Sequence, residues 1–307
     1  MKFFLKRLLA FIGLGVMIVL SFFYLNLYFG NQSAVFTKVV LVVEKKPEII
    51  VLGSSVNNYY TANENDVRSV SEMLEDTLKT KMVLDISHPA FQSDIYLDII
   101  NFCKVDIDSS LFIVPINLRY FSPLWDLRPE YQFIDEKYFF RNLPHYINFM
   151  NFQKMSKNEF EKTPIFFDEK KIGNVGGFDR MYLSPDMEKK KGFISSYMQP
   201  IEQNNNKLVK LIEILKCGKE NNLKILFYIT PIDYRCAQSN KIKGFDKCVQ
   251  NNIKVILNAM KGAKVLDFSH SLNSDYFDYD IRPNEHLNMM GRRFLANELA
   301  VEIQKYN

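Results

Sequence analysis

Residues Glu48–Ser55, with the sequence EIIVLGSS, decide the fold. A short apolar run that ends in glycine is typical of a strand buried inside a parallel sheet. Similar short runs follow at Lys81–Ile86, Leu111–Ile116, Leu223–Thr230 and Ala263–Phe268. Segments with helical spacing separate these runs, and strands that alternate with helices imply a sheet covered on both faces. The sequence therefore predicts an α/β fold, a three-layer α/β/α domain around a parallel, flavodoxin-like sheet.

The N-terminal segment predicts a membrane anchor. Basic residues at positions 2, 6 and 7 precede Leu8–Phe29, which contains no charged side chain. A helix of about twenty apolar residues crosses the ~30 Å hydrocarbon core of a bilayer. Because the basic residues precede the apolar segment, the N-terminus is expected in the cytoplasm. We therefore expect a single-pass protein of the cell membrane, with an anchor at residues 1–30 and an extracytoplasmic domain at residues 31–307.

A cleaved signal peptide is the alternative interpretation of this segment. Signal peptides have a shorter apolar core, followed by a cleavage site with small residues. Here the apolar segment is long, and Gln32-Ser33-Ala34 is a poor cleavage site. The sequence thus favours an uncleaved anchor, and Ala34–Lys46 is interpreted as a short stalk that connects it to the domain.

Composition and charge exclude several classes of protein. The chain is 47% hydrophobic and 24% charged, which is the balance of a globular protein and not of a disordered one. Its 39 basic residues nearly match its 35 acidic residues, and no basic stripe interleaved with aromatic residues stands out. We therefore expect no nucleic-acid partner.

The four cysteines do not indicate a metal site. None belongs to a C-x-x-C pair, and no Cys/His spacing fits zinc, so neither a metal nor a cofactor is predicted. Cys236 and Cys248 flank a polar loop. They would be able to form a disulfide if the domain is exported to an oxidising space.

Regular alternation of strands and helices stops at Asn117. From there to Gly192 the chain is rich in aromatic residues, Pro, Asn and Lys. A loop of that length without secondary structure is uncommon in a compact domain. We therefore predict that residues 117–192 form an inserted cap over the substrate region.

Two distant residues suggest nucleophilic catalysis. Ser55 follows the first predicted strand, and ligands of doubly wound sheets bind beyond the carboxyl ends of the strands. Many serines at such positions only cap helices. His286, however, lies at the polar start of the last predicted helix, where a histidine is suited to act as a base. If the first strand is central, both side chains converge on one edge of the sheet.

The motifs around these residues resemble a known family. Val51–Ser55 (VLGSS) followed by His286–Gly291 (HLNMMG) is similar to the SGNH (GDSL-like) hydrolase superfamily, and within it to the membrane-anchored DltD/AlgJ-like O-acyltransferase branch. Asp85–Gln92 resembles the second motif of that branch, and Phe227–Pro231 resembles its penultimate strand.

The resemblance implies roles for individual residues. Ser55 would be the nucleophile, His286 its base, and Ser54 would replace the Asp of the usual Gly-Asp-Ser triplet. The backbone N–H groups of Ser55 and of Ala90, where the family often has Gly, would bind the oxyanion. Asn117 is the candidate for the family's oxyanion asparagine, although its surroundings differ from the usual Gly-x-Asn-Asp.

The resemblance leaves two roles near these motifs undecided: the carboxylate that orients His286, and the role of His88. The family usually has Asp three residues before the histidine, whereas this chain has Pro283. Proline cannot orient an imidazole, so Asp280 or Glu285 would have to supply the carboxylate. His88 follows the second predicted strand and either lines the pocket or is a hydrogen-bonded structural histidine.

The resemblance implies acyl transfer outside the cell. An acetyl or D-alanyl group would pass through an acyl-Ser55 intermediate to a cell-envelope glycopolymer, either a polysaccharide or a teichoic-acid-like polymer. The implied partner in the membrane is a polytopic acyltransferase of the MBOAT type. Two alternatives are a carbohydrate esterase that uses water as acceptor, and a non-catalytic envelope scaffold that keeps the fold.

Overall fold

The computed structural model describes residues 2–31, 34–60, 64–104, 107, 109–126, 131–142, 196–239, 241–278 and 285–306. Most of the predicted cap at residues 117–192, together with Asp280 and Pro283, lies outside these described residues.

Five strands form one parallel sheet in the order β2-β1-β3-β4-β5. They are β1 (Ile49–Gly53), β2 (Val83–Ser87), β3 (Leu111–Ile116), β4 (Lys224–Ile229) and β5 (Val265–Asp267). Every pairing between neighbouring strands is parallel. The central strands β1 and β3 are buried along their whole length, as expected of strands covered on both faces. The predicted α/β fold class is thus confirmed.

Eleven α-helices are present in the described part of the chain. They are α1 (Lys2–Asn31), α2 (Ala34–Lys45), α3 (Ser55–Asn58), α4 (Val70–Leu78), α5 (Ser93–Cys103), α6 (Pro123–Asp126), α7 (Ile134–Asn142), α8 (Asn206–Glu220), α9 (Tyr234–Ser239), α10 (Phe245–Ala259) and α11 (Met289–Gln304). Short 3-10 helices lie at Leu118–Phe121 and Ser274–Tyr276.

The two faces of the sheet carry separate apolar cores. Because side chains alternate along a strand, Ile50 and Leu52 of β1 enter one core, and Ile49 and Val51 enter the other. Helices α2, α5, α8 and α10 cover the first core, whereas α4 and α11 cover the second. The sheet is therefore the middle layer of three.

The prediction of a stalk at Ala34–Lys46 was wrong. This segment forms α2, and Val35, Val39 and Val42 are buried in the first core. These valines recur every three or four residues, which is the spacing of one helix face. The β-branched run around them is more typical of strands than of helices, so its helical period is hard to see in the sequence.

Helix α1 contains the predicted anchor. Its segment Phe3–Phe22 is exposed throughout and is long and apolar enough to cross a membrane. A signal sequence near an N-terminus can also meet these criteria of length and composition. The membrane location of this helix is therefore part of the proposal made below.

The cysteine side chains that the structure describes are free thiols. Cys103 and Cys217 are buried, and the Cys248 Sγ atom lies 3.3 Å from the carbonyl oxygen of Met198. Cys248 therefore forms no disulfide in this structure, contrary to the possibility raised from the sequence. The side chain of Cys236 lies outside the described residues.

Candidate active site

Ser55 and His286 meet at the carboxyl edge of the sheet. The Nε2 atom of His286 lies 3.1 Å from the Ser55 Oγ atom, although the two residues are 231 positions apart in sequence. Ser55 is the first residue of α3, directly beyond β1, and it is partly exposed. A hydroxyl at hydrogen-bond distance from an imidazole is the arrangement of an activated nucleophile and its base.

Ser54 caps the short helix that begins at Ser55. It is buried, and its side-chain oxygen accepts a hydrogen bond from the backbone N–H of Val56 at 3.4 Å. Ser, Thr, Asp and Asn all serve as helix N-caps. Ser54 therefore has a structural role in the observed geometry.

The turn between β1 and α3 requires a glycine. A Cβ atom added at Gly53 would lie 2.1 Å from the Ser87 Oγ atom and 3.0 Å from the Cβ atoms of Ser87 and Asn57. The buried Asn57 amide donates hydrogen bonds to Asp85 Oδ1 at 2.9 Å and to Ser87 Oγ at 2.5 Å. Asn57, two residues after Ser55, thus fixes the chain to the carboxyl end of β2. Burial raises the pKa of the Asp85 carboxyl group in this cluster.

The imidazole of His286 has an aromatic neighbour. The ring of Tyr59 stacks on it, with a centroid distance of 4.1 Å and an angle of 11° between the planes. Tyr59 directly follows α3, so the segment that contains Ser55 also supports the imidazole of His286.

The residues that follow His286 in the HLNMMG segment have local structural roles. Leu287 is fully buried and forms an antiparallel bridge with Phe277. The Asn288 side chain caps α11, because its oxygen accepts from two backbone N–H groups, those of Met290 and Gly291. A Cβ atom at Gly291 would lie 2.3 Å from the carbonyl oxygen of Tyr276. These contacts hold the loop that presents His286.

Arg292 connects the segment that contains Ser55 to the segment that contains His286. Its side chain is fully buried, and its Nη1 atom donates to the carbonyl oxygens of Tyr59 at 2.8 Å and Leu287 at 3.0 Å. Its Nη2 atom forms an ion pair with Glu64 at 2.5 Å. The guanidinium of Arg292 thus holds both Tyr59, four positions after Ser55, and Leu287, directly after His286. The sequence analysis did not single out this arginine.

Glu285 belongs to a second buried charged cluster. Its carboxylate forms an ion pair with Arg119 at 2.5 Å, and the Tyr197 hydroxyl donates to its Oε2 atom. Burial, and then the charge of Glu285, raise the pKa of Tyr197 well above its usual value. Burial, the largest single effect, would lower the pKa of Arg119, but the charge of Glu285 together with the neighbouring tyrosines outweighs it, so that pKa is raised. The structure therefore gives Glu285 a role in anchoring the loop of His286 to the segment after β3.

Asp278 lies opposite His286, next to the antiparallel bridge between Phe277 and Leu287. The backbone N–H of Asp278 donates to the carbonyl oxygen of His286 at 3.0 Å, beside the Phe277–Leu287 bridge. Directly opposite residues of an antiparallel pair project to the same face, with Cβ atoms about 4.5–5.5 Å apart. Sequence reasoning missed Asp278, because its position depends on a pairing between segments that neither forms a regular strand.

Unpartnered buried polar groups lie at the same edge of the sheet. Asn117, the first residue beyond β3, is 1% exposed, and its Nδ2 atom has no hydrogen-bond partner among the described residues. Thr230, the first residue beyond β4, is also buried, and its hydroxyl has no partner in the same part of the chain. Buried polar groups are nearly always hydrogen-bonded. Free donors here suit an oxyanion or a polar substrate.

Ala90 and His88 lie in the turn after β2. Ala90 has a φ of 67°, in the left-handed region that favours glycine. This conformation fits the family resemblance, which has glycine at the position. The His88 Nδ1 atom lies 2.9 Å from the carbonyl oxygen of Pro89, and its ring packs edge-on against Phe133. These contacts favour the structural interpretation of His88.

Comparisons with known proteins found similar folds at low sequence identity. No protein-family model matches the sequence, and no curated protein matches it. A candidate acylhydrolase from Bacteroides fragilis covers 84% of this chain and 86% of its own length, with 11% identity and a TM-score of 0.40. The lipase/acylhydrolase from Enterococcus faecalis covers 84% of this chain and 96% of its own, with 10% identity and a TM-score of 0.37.

A third solved structure is a variant of an acetyl-xylooligosaccharide esterase from Geobacillus. It covers 84% of this chain and 94% of its own, with 11% identity and a TM-score of 0.38. Similarity at this level does not transfer an activity. The functional conclusion therefore depends on the geometry around Ser55 and His286.

The buried pairing of Arg292 predicts a large loss of stability in Arg292→Met. Breaking a buried ion pair on one side costs about 3–5 kcal/mol, because the partner is left uncompensated. We expect this decrease in the free energy of unfolding, measured by chemical denaturation of the detergent-solubilised protein. Arg293→Met is the matched control: Arg293 pairs with Asp66 at the surface, so its loss should cost at most about 1 kcal/mol. Equal losses in both variants would contradict the assignment.

Proposed function

We propose that this protein is a serine-dependent acyl-ester enzyme in which Ser55 is the nucleophile and His286 is the base. The observation that carries the proposal is the 3.1 Å distance between Ser55 Oγ and His286 Nε2 at the carboxyl edge of the sheet. In this sheet the strand order reverses between β1 and β3, and ligands of doubly wound folds bind at such a switch point. The same distance argues against a non-catalytic scaffold.

The proposed reaction proceeds in two half-reactions. His286 Nε2 accepts the Ser55 proton while Oγ forms a bond to the carbonyl carbon of an ester. The tetrahedral oxyanion accepts hydrogen bonds from Asn117 Nδ2 and from the backbone N–H groups of Ser55 and Ala90. The bond to the alcohol then breaks, and His286 returns the proton to that alcohol. A second alcohol or a water molecule attacks acyl-Ser55 by the same steps and frees the serine.

Asp278 is proposed as the residue that positions His286. A carboxylate beside the other imidazole nitrogen fixes the tautomer and stabilises the imidazolium that forms during attack. The backbone pairing of Asp278 with His286 supports this role. Glu285, the candidate next to His286 in sequence, has its carboxylate bound by Arg119 and Tyr197.

The proposed acceptor is a hydroxyl group of a cell-envelope glycopolymer. The exposed apolar helix α1 supports a location in the cell membrane, with the N-terminus in the cytoplasm and the main domain outside. The resemblance of the VLGSS and HLNMMG segments to membrane-anchored O-acyltransferases supports transfer of an acetyl or D-alanyl group, with an MBOAT-type acyltransferase as partner. Hydrolysis of a carbohydrate ester would use the same residues, with water as acceptor.

An activated serine predicts covalent labelling by a fluorophosphonate. We expect labelling of the full-length protein in detergent and loss of labelling in Ser55→Ala and in His286→Ala. Ser54→Ala is the matched control, because Ser54 is a neighbouring serine that caps a helix and should leave labelling intact. A folded wild type that remains unlabelled would argue for the scaffold.

The positioning role of Asp278 predicts a graded effect of substitution. Asp278→Asn keeps the size of the side chain but removes its charge, so we expect kcat/KM for para-nitrophenyl acetate to fall about 10²–10⁴-fold. Asp278→Glu should recover part of the activity, while both variants keep the thermal midpoint of the wild type. Equal activity in the two variants would exclude a role for the carboxylate charge.

Transfer and hydrolysis differ in their products. We expect a radiolabelled acetyl group from a soluble acetyl ester to appear on an added envelope polysaccharide or teichoic acid, and none to appear with Ser55→Ala. Release of labelled acetate alone, at the same rate with and without the polymer, would identify an esterase.

A further inference from the structure

Helix α2 packs against β2 and runs in the direction opposite to the strands. Near its start, the Lys38 Nζ atom lies 3.4 Å from the carbonyl oxygen of Ser87, at the carboxyl end of β2. Just beyond its last turn, the carbonyl oxygen of Pro47 accepts from Ser110 Oγ at 2.5 Å, on the amino side of β3. Contacts at both ends therefore fix the direction of the helix.

The length of α2 matches the length of a strand of the sheet. Its 12 residues span about 18 Å at 1.5 Å per residue. The five residues of β1 span about 17 Å. Ala34, the first residue of α2, therefore lies at the carboxyl edge, which is the edge that carries Ser55 and His286.

Little chain separates this edge from the predicted membrane span. If the basic residues at positions 2, 6 and 7 stay outside the hydrocarbon, the span is the apolar segment Leu8–Phe29. Four residues then lie between Phe29 and Ala34, and the five Cα–Cα steps across them reach at most about 18 Å. Because Val35 and Val39 are buried in the core, the domain does not hang from a long tether.

A second contact lies on the same side of the molecule. Helix α7, in the described part of the predicted cap, contacts α1. Phe133, directly before α7, packs against His88 and Phe91, which follow β2 at the carboxyl edge. Anchor, cap and catalytic edge thus lie together.

From this placement we propose that the edge carrying Ser55 and His286 faces the bilayer and acts on an amphiphilic ester. The polar, acylated part of that substrate reaches Ser55, while its apolar part stays in the outer leaflet. The inference rests on the proposed function and deepens it by naming the class of molecule that brings the acyl group. The basis is the fixed direction of α2, which leaves the amino edge of the sheet on the far side from the membrane.

The orientation is tested by distance in lipid nanodiscs, without any catalysis. The full-length protein carries a fluorescent noncanonical residue in place of Tyr60, which is exposed near the carboxyl edge, or of Met82, which is exposed at the amino edge before β2. Energy transfer to acceptor dyes on lipid headgroups reports the distance to the bilayer. We expect position 60 to lie about 17 Å closer than position 82, which is the length of a five-residue strand. Equal distances, or a closer position 82, would overturn the proposal.

The substrate class is tested by lengthening the connection. A Gly/Ser spacer of about twenty residues between positions 33 and 34 lowers the effective concentration of the site at the bilayer. We expect turnover of para-nitrophenyl palmitate in vesicles to fall roughly tenfold relative to turnover of soluble para-nitrophenyl acetate. An unchanged ratio of the two turnover rates would overturn the proposal that the substrate is amphiphilic. If the unmodified chain cleaves neither ester, the proposed function fails, and the distances in nanodiscs still decide the orientation.

Discussion

The catalytic geometry depends on the burial of one cation, Arg292. A guanidinium removed from water must have its donors and its charge satisfied within the protein. Arg292 meets this requirement with the carbonyl oxygens of Tyr59 and Leu287 and with the carboxylate of Glu64. Tyr59 is four positions after Ser55, and Leu287 directly follows His286. The need to pair a buried charge therefore also holds the segments of Ser55 and His286 together.

A second charged cluster holds the same loop from the side of the predicted cap. Glu285, directly before His286, pairs with Arg119 beyond β3 and with the Tyr197 hydroxyl. The low dielectric of the interior strengthens these interactions and penalises any motion that would separate them. His286 thus lies between two segments that are each fixed by an arginine, Arg292 fully buried and Arg119 half-buried. A base fixed in this way does not have to be ordered by the substrate.

The sequence was sufficient to predict the sheet and the convergence of Ser55 and His286 on one edge, because both leave local signals. Buried strands appear as short apolar runs, and Gly53 and Gly291 occupy positions where backbone and side chains approach too closely for a Cβ atom. It was not sufficient for α2, whose β-branched valines obscure its helical period. Nor did it indicate Asp278, because an isolated bridge between two segments outside the regular strands has no periodic pattern.

Helix α2 also changes what an anchor means for this protein. A flexible stalk would raise the local concentration of the enzyme at a membrane and leave its orientation free. A helix with three valines in the core is instead part of the packed domain, so the proposed membrane span is followed within a few residues by the fold itself. Pulling α2 away from the sheet would expose those valines, and burial of each is worth about 1.5–3 kcal/mol. In the proposed arrangement, α2 thus keeps the carboxyl edge of the sheet close to the bilayer, and this placement, more than the anchor alone, would select which substrates reach Ser55.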